Sequence, residues 1–229
     1  MIIGTVVNTV AVAVGSIIGV TIGKRIKPEI KDAVMKALGL AVVVLGIKMA
    51  FEKHDFLLAL IAIVIGTAVG EMINIELFLE NIGGYFQQKV KSESGNFVLA
   101  FVTASVLFCV GSMTIIGAIK DGLSNDPSVL YIKSLLDGVS SIILASTLGI
   151  GVFFSIVVIL VYQGLLSLLA FKFTFLLNDM YVNGISVVGG IIILGIGLNM
   201  LGLTKIKTGN MLPSLFIIPI IDFLAKIIV

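Results

Sequence analysis

Lys133, Ser134, Asp137, Ser140 and Ser141 occupy positions i−4, i−3, i, i+3 and i+4 around a single carboxylate. On a helix that spacing places all five on one face, while Leu135, Leu136, Val139, Ile142 and Ile143 fall on the other. A carboxylate in hydrocarbon costs about 2.5–3.5 kcal/mol even on lenient insertion scales, so inside an apolar run it marks function by default. The chemistry on offer is a hard-cation site, with one acid and several hydroxyl oxygens, charged weakly enough to release what it binds. Lys133 is the competing feature, because a plain Asp137–Lys133 ion pair near an interface would neutralise the site. Lysine N-terminal to aspartate is the weaker orientation on a helix, and a lysine near the interface can snorkel to water.

Other polar residues within apolar runs could complete such a site. Asn8, Gln163 and Asn199 supply amides from three further runs, and Asn210 stands with Pro213 and Pro219 at the last one. The stretch Phe108-Cys-Val-Gly-Ser-Met-Thr114 offers Gly111, Ser112 and Thr114, which can unwind or kink a helix and free carbonyls for an ion. Singly, each such residue is more often interhelical glue than ligand. Together they make Asp137, Ser134, Ser140, Ser141, Asn8, Ser112, Gln163, Asn199 and Asn210 the candidate ion- or substrate-binding set.

No catalytic set accompanies them. His54 is the only histidine, so there is no H-E-x-x-H zinc motif, and no G-x-S-x-G elbow occurs. His54 lies among Glu52, Lys53 and Asp55 and reads as a solvated loop residue. The glycines around Gly189 and Gly195 lie within an apolar span with no basic loop after it, which argues against a nucleotide site. Neither enzymatic activity nor a cofactor is expected.

Composition dictates the elements that must position these residues. Of 229 residues 59% are hydrophobic and 12% charged, with mean hydropathy +1.22. A soluble domain carries about 25% charged residues, so a water-facing surface cannot be built from this chain. The net charge of +2 is too weak to imply nucleic acid. Cys109 is alone, which excludes an intrachain disulfide, and with no tryptophan any interfacial belt must use Tyr and Phe. No basic residue precedes the first apolar run, so a cleaved signal peptide is not expected.

Eight apolar segments stand out, at 2–23, 34–51, 56–75, 97–119, 130–148, 151–173, 185–203 and 211–228. About 20 helical residues cross a bilayer core, and the fifth segment, short and rich in hydroxyls, reads as either a span or a re-entrant element. The runs lack the period-two alternation of barrel strands. The expected fold is therefore all-α, a polytopic transmembrane helix bundle of seven to eight helices with the lipid bilayer as its main partner.

Lys24, Arg25, Lys27, Lys31 and Lys36 follow the first segment, which predicts a cytoplasmic loop there and an external N-terminus. The C-terminus is external with eight spans and internal with seven. Residues 76–90 alternate apolar and polar groups at helical spacing, as in an amphipathic helix on the cytoplasmic face. Residues 91–96 read as a flexible hinge.

The run VVVLGI at 42–47 matches IIILGI at 191–196, and the same offset places Gly15 over Gly164. That maps helices one to three onto six to eight, with opposite membrane orientations, as in inverted-repeat transporters. The chain then divides into a first three-helix unit (1–75), a cytoplasmic connector (76–95), central helices (96–148) and a last three-helix unit (149–229), within one integral membrane domain. Gly15, Gly19 and Gly23, with Gly66 and Gly70, form G-x-x-x-G faces suited to close packing inside the bundle or to a homodimer.

Gly4-Thr-Val-Val-Asn8, Phe108-Cys-Val-Gly-Ser-Met113, Lys133-Ser-Leu-Leu-Asp-Gly138, Tyr162-Gln-Gly164, Gly189-Gly190 and Asn210-Met-Leu-Pro213 carry a resemblance across nearly the whole chain. On them the sequence resembles the YdfK/YqgA-like prokaryotic membrane proteins called domain of unknown function 554. The resemblance implies a multi-pass protein of a prokaryotic cytoplasmic or inner membrane and brings no substrate with it. From the residues, the leading expectation is a small secondary transporter or channel for an inorganic ion or small polar solute. The alternative is a non-transporting scaffold, assembly factor or sensor acting through helix–helix contacts. A polar cavity containing Asp137 would favour the first.

Overall fold

The computed structural model describes residues 2–92 and 95–228, so the middle of the 91–96 hinge and the two terminal residues lie outside it. Among the described residues there is no strand, and ten α-helices follow in order. They are α1 (Ile3–Gly23), α2 (Pro28–Ala50), α3 (Phe56–Ile73), α4 (Ile75–Lys89), α5 (Phe97–Cys109), α6 (Ser112–Ser124), α7 (Ser128–Leu148), α8 (Gly151–Leu168), α9 (Asp179–Met200) and α10 (Ser214–Ile228). By length and composition seven helical stretches can cross a membrane, and α5 with α6 would together make an eighth crossing.

Two expectations change places here. The segment at 97–119 is not one helix, because α5 and α6 meet at a 63° bend. Val110 is extended and Gly111 has φ +120°, a conformation that side chains with a Cβ rarely adopt. Thr114 ties the corner by donating through Oγ1 to the Phe108 carbonyl at 3.3 Å. The doubtful segment at 130–148, in contrast, is the unbroken 21-residue α7. Asp126 starts it by accepting from the Ser128 N–H at 3.1 Å, and Gly149 at φ +93° ends it. Leu135, Leu136 and Val139 lie on its exposed face, as their spacing predicts.

In hydrocarbon, helices gain little from hiding apolar surface and associate through close approach of backbones. The glycines serve this inside the chain. A methyl group on Gly19 would come within 2.9 Å of Ala145 Cβ, and one on Gly23 within 2.5 Å of the Ser146 carbonyl oxygen. Gly15 meets Gly138 and Ser141 on the same seam, while Gly66 and Gly70 meet Ser214 and Asn210 of the last segment. Gly46 and Gly190 face one another between α2 and α9, each 2.7 Å from the other's carbonyl oxygen if given a Cβ. The G-x-x-x-G faces are thus occupied within one chain rather than open for a second copy.

These contacts also give helix directions. Gly15, Gly19 and Gly23 meet Gly138, Ile142 and Ser146, so α1 and α7 run parallel. Asn8 with Gln163 and Thr5 with Ser167 make α1 and α8 antiparallel. Gly39 with Gly197 and Gly46 with Gly190 do the same for α2 and α9. If α1, α2 and α3 each cross, α7 can run parallel to α1 only when α5 and α6 together cross once more.

Helix α4 is amphipathic as its pattern predicts. Leu79 and Gly83 are buried against the bundle, Phe86 stacks on Phe154 at 5.0 Å, and Phe78 and Tyr85 are exposed.

Candidate functional site

Asp137 is the tenth residue of α7 and lies far from either end of that helix. It and Lys133 are both buried, and the Lys133 ammonium donates to Asp137 Oδ2. The expectation that Lys133 snorkels away is therefore overturned: its side chain keeps only 6% of its surface. Position i−4 on the same face brings the two groups together, and a lone buried charge would cost several kcal/mol more than the pair.

Asn8 completes the carboxylate's shell. Its amide nitrogen lies 3.0 Å from Asp137 Oδ2 and 3.1 Å from Gln163 Oε1, linking α1, α7 and α8. Asn8 Oδ1 and Gln163 Nε2 are buried and have no partner among the described residues. Near the far end of α1, Asp121 of α6 accepts from the Gly4 N–H at 2.9 Å, while its other oxygen has no partner among the described residues. A polar seam thus runs along the interior face of α1 from Asp121 through Thr5 and Asn8 to Asp137.

On its other side the pair borders a cavity of about 230 Å³. Lys133, Asp137 and Ser140 form one wall, the broken corner from Phe108 to Thr114 a second, and Leu38, Val42, Leu45 and Met49 of α2 a third. At the corner α6 begins, where the first amide N–H groups of a helix lack carbonyls one turn back, and here the Thr114 N–H donates to the Gly111 carbonyl at 3.2 Å. Ser112, Thr114 and Ser140 add hydroxyls, that of Thr114 being donated to the Phe108 carbonyl, and the remaining lining is apolar. A charged pair, three hydroxyls and a helix break thus share one small chamber.

The structure brings Asp137, Asn8, Gln163, Ser140 and Ser112 around this chamber or its seam and separates the others. Ser134 and Ser141 turn their hydroxyls back to carbonyls of their own helix, Leu130 at 2.6 Å and Gly138 at 2.7 Å. Asn199 closes the loop after α9, donating to the Ile206 carbonyl and accepting from its N–H. Asn210 braces the α3–α4 junction by accepting from the Glu76 N–H at 2.7 Å and donating to Glu71 at 2.5 Å. Neither Asn199 nor Asn210 reaches Asp137, because Asn199 spends its amide in the turn that follows α9 and Asn210 spends its amide on Glu71 and Glu76.

His54 corrects another expectation. It is no solvated loop residue, since its Nε2 lies 3.0 Å from Asp222 Oδ1 and its side chain is 4% exposed. Asp222, fully buried in α10, and Asp121 are polar sites that the sequence reading missed. Asp222 interrupts an apolar run just as Asp137 does, so the signal was present. Asp121 follows the end of its run beside Lys120 and looks like loop.

The chain has relatives in sequence. The chain is 39% identical over 227 residues to a Bacillus subtilis (strain 168) protein named "Uncharacterized membrane protein YdfK", covering 97% of this chain and 96% of that one. It is 30% identical over 186 residues to the Escherichia coli (strain K12) "Uncharacterized protein YqgA", covering 78% of each. No solved structure matches the chain. Residues 3–223, which include every element of the chamber, match the family described as "Protein of unknown function (DUF554)", and the chain belongs to that family.

Proposed function

We propose that this membrane protein is a small secondary transporter or channel for an inorganic ion or small polar solute, acting through the chamber beside Lys133 and Asp137. The observation that carries the reading is a buried, mid-helix charge pair on the wall of a cavity that faces a broken helix. Replacing a buried ion pair by packed apolar side chains is often neutral or stabilising, so packing alone gives little reason to keep one. Discontinuous helices expose backbone dipoles to solutes at membrane depth. A volume of about 230 Å³ is below the roughly 300–1,000 Å³ of sites for drug-sized ligands, which suits an ion or a very small solute.

The membrane is that of a prokaryotic cell, with the basic 24–31 loop on the cytoplasmic side. Antiparallel contacts of α1 with α8 and α2 with α9 support the inverted repeat. A superposition of 3–73 on 151–228, about an axis in the membrane plane, would remove it if no closer than that of arbitrary helix triplets. The competing scaffold reading loses its motivating feature, since the glycine faces are filled within the chain.

Flux tests the proposal. Purified protein in proteoliposomes should move at least one member of a panel of inorganic cations, anions and small polar solutes. Asp137→Asn should abolish that flux, and Ser140→Ala should lower it. A wild-type protein that moves nothing, or an Asp137→Asn variant that transports normally, rejects the assignment.

A further inference from the structure

A second cavity, of about 380 Å³, lies toward the end of the bundle that carries the basic loop. Its lining includes Lys31, Asp32, Asn96, Thr103, Thr147 and Asn199, and its rim is exposed at Asp32 and Asn96. The same four helices, α2, α5, α7 and α9, line both this cavity and the chamber beside Asp137. On each helix the two sets of lining residues are one or two turns apart. Met35 is followed by Leu38 on α2, Thr103 by Leu107 on α5, Leu148 by Leu144 on α7, and Met200 by Ile193 on α9.

Apolar side chains that line the facing ends of the two cavities pack together between them. Met35, Leu38, Leu107, Leu144, Leu148 and Met200 belong to one packed cluster, with Leu144 fully buried at its centre. A helical turn rises about 5.4 Å, so the partition is on the order of one side-chain layer thick. Hydrophobic constrictions of this kind close a path by dewetting and open with small displacements. Charged and polar groups line both cavities, and these six side chains carry neither.

From this stacking we infer that the outer cavity is the entry vestibule for the Lys133–Asp137 chamber and that the six-residue apolar layer is the gate between them. The inference rests on the transport reading for its purpose, but not for its test. The vestibule admits a hydrated ion or small polar solute from the basic side, and the solute loses its water in passing the gate. In this structure the gate is closed.

Cysteine accessibility tests it directly. In a Cys109→Ser background, Lys31→Cys identifies the side of a sealed vesicle that the basic loop faces. A small cationic methanethiosulfonate added to that side should modify Thr103→Cys readily and Ser140→Cys at least about tenfold more slowly, because the dewetted layer excludes a charge. Combining Leu107→Ser and Leu144→Ser should bring the reactivity of Ser140→Cys close to that of Thr103→Cys. Leu107→Thr alone should move it the same way if the double variant fails to fold. Equal reactivity at both positions with the layer intact means there is no gate. An unreactive Ser140→Cys after the layer is made polar, with Thr103→Cys still reactive, means there is no path. Labelling as expected in a protein that moves no solute upholds the gated path and overturns the transport reading alone.

Discussion

Asn8 on α1 donates to Asp137 on α7 and to Gln163 on α8, at 3.0 and 3.1 Å, so one amide joins three helices. Hydrogen bonds to a charged acceptor contribute about 1.5–3 kcal/mol, and removing a donor leaves the buried acceptor short of a partner. Asn8→Leu should therefore destabilise the protein by about 2 kcal/mol, read as an earlier thermal unfolding midpoint in detergent. A midpoint equal to wild type would show that the amide links nothing.

The ion pair makes a sharper prediction. Lys133→Met strands a buried carboxylate and Asp137→Asn strands a buried ammonium, and each should cost about 3–5 kcal/mol. Lys133→Met combined with Asp137→Leu removes both charges and should recover most of the stability while remaining inactive. A double variant no more stable than the singles in denaturant titration would mean that the charges are not coupled.

Two glycines in helices should respond in opposite directions. A methyl on Gly190 would meet Ala50 N at 2.5 Å and the Gly46 carbonyl oxygen at 2.7 Å, both backbone atoms that cannot swing aside. Gly190→Ala should cost about 1–3 kcal/mol as the two helices are forced apart. On Gly84 of α4 the added methyl would meet nothing within 4 Å, so Gly84→Ala should gain about 0.5–1 kcal/mol from reduced backbone freedom in the unfolded chain. Equal effects of the two in thermal melts would rule out the backbone seam between α2 and α9.

Helix direction predicts topology. With α1 and α7 parallel and the bent α5–α6 pair making one crossing, the total is eight and both termini lie on one side. Reporter fusions at the two ends should agree, each silent for a reporter active only in the cytoplasm. Opposite signals would mean that the bent pair turns back without crossing.

The helical membrane fold was legible because continuous apolar runs need no partner to be recognised. The stripe on α7 was legible for a related reason: its five polar residues lie within nine positions of one helix, where spacing alone sets the face. The α5–α6 corner was half visible, since Gly111 could mark a break but nothing local sets its angle. Asn199 and Asn210 misled because an amide beside an apolar run looks the same whether it faces a chamber, closes a turn nearby, as Asn199 does, or braces a distant helix junction, as Asn210 does. His54 and Asp222 were out of reach as a pair, being 168 positions apart, with a fully solvated reading open to the histidine.

The seams that hold α1 to α7 and α2 to α9 have a mechanical consequence. Backbones already in contact have no room to slide or separate, so each pair behaves as one stiff ribbon. The chamber lies between the ribbons, with α2 on one side and α7 on the other, where bulkier Leu, Val and Met side chains meet instead of glycines. Rocking of one ribbon against the other would therefore change the chamber's width without disturbing either seam. Spin-label distances between α1 and α7 should stay constant across conditions in which distances between α2 and α7 change.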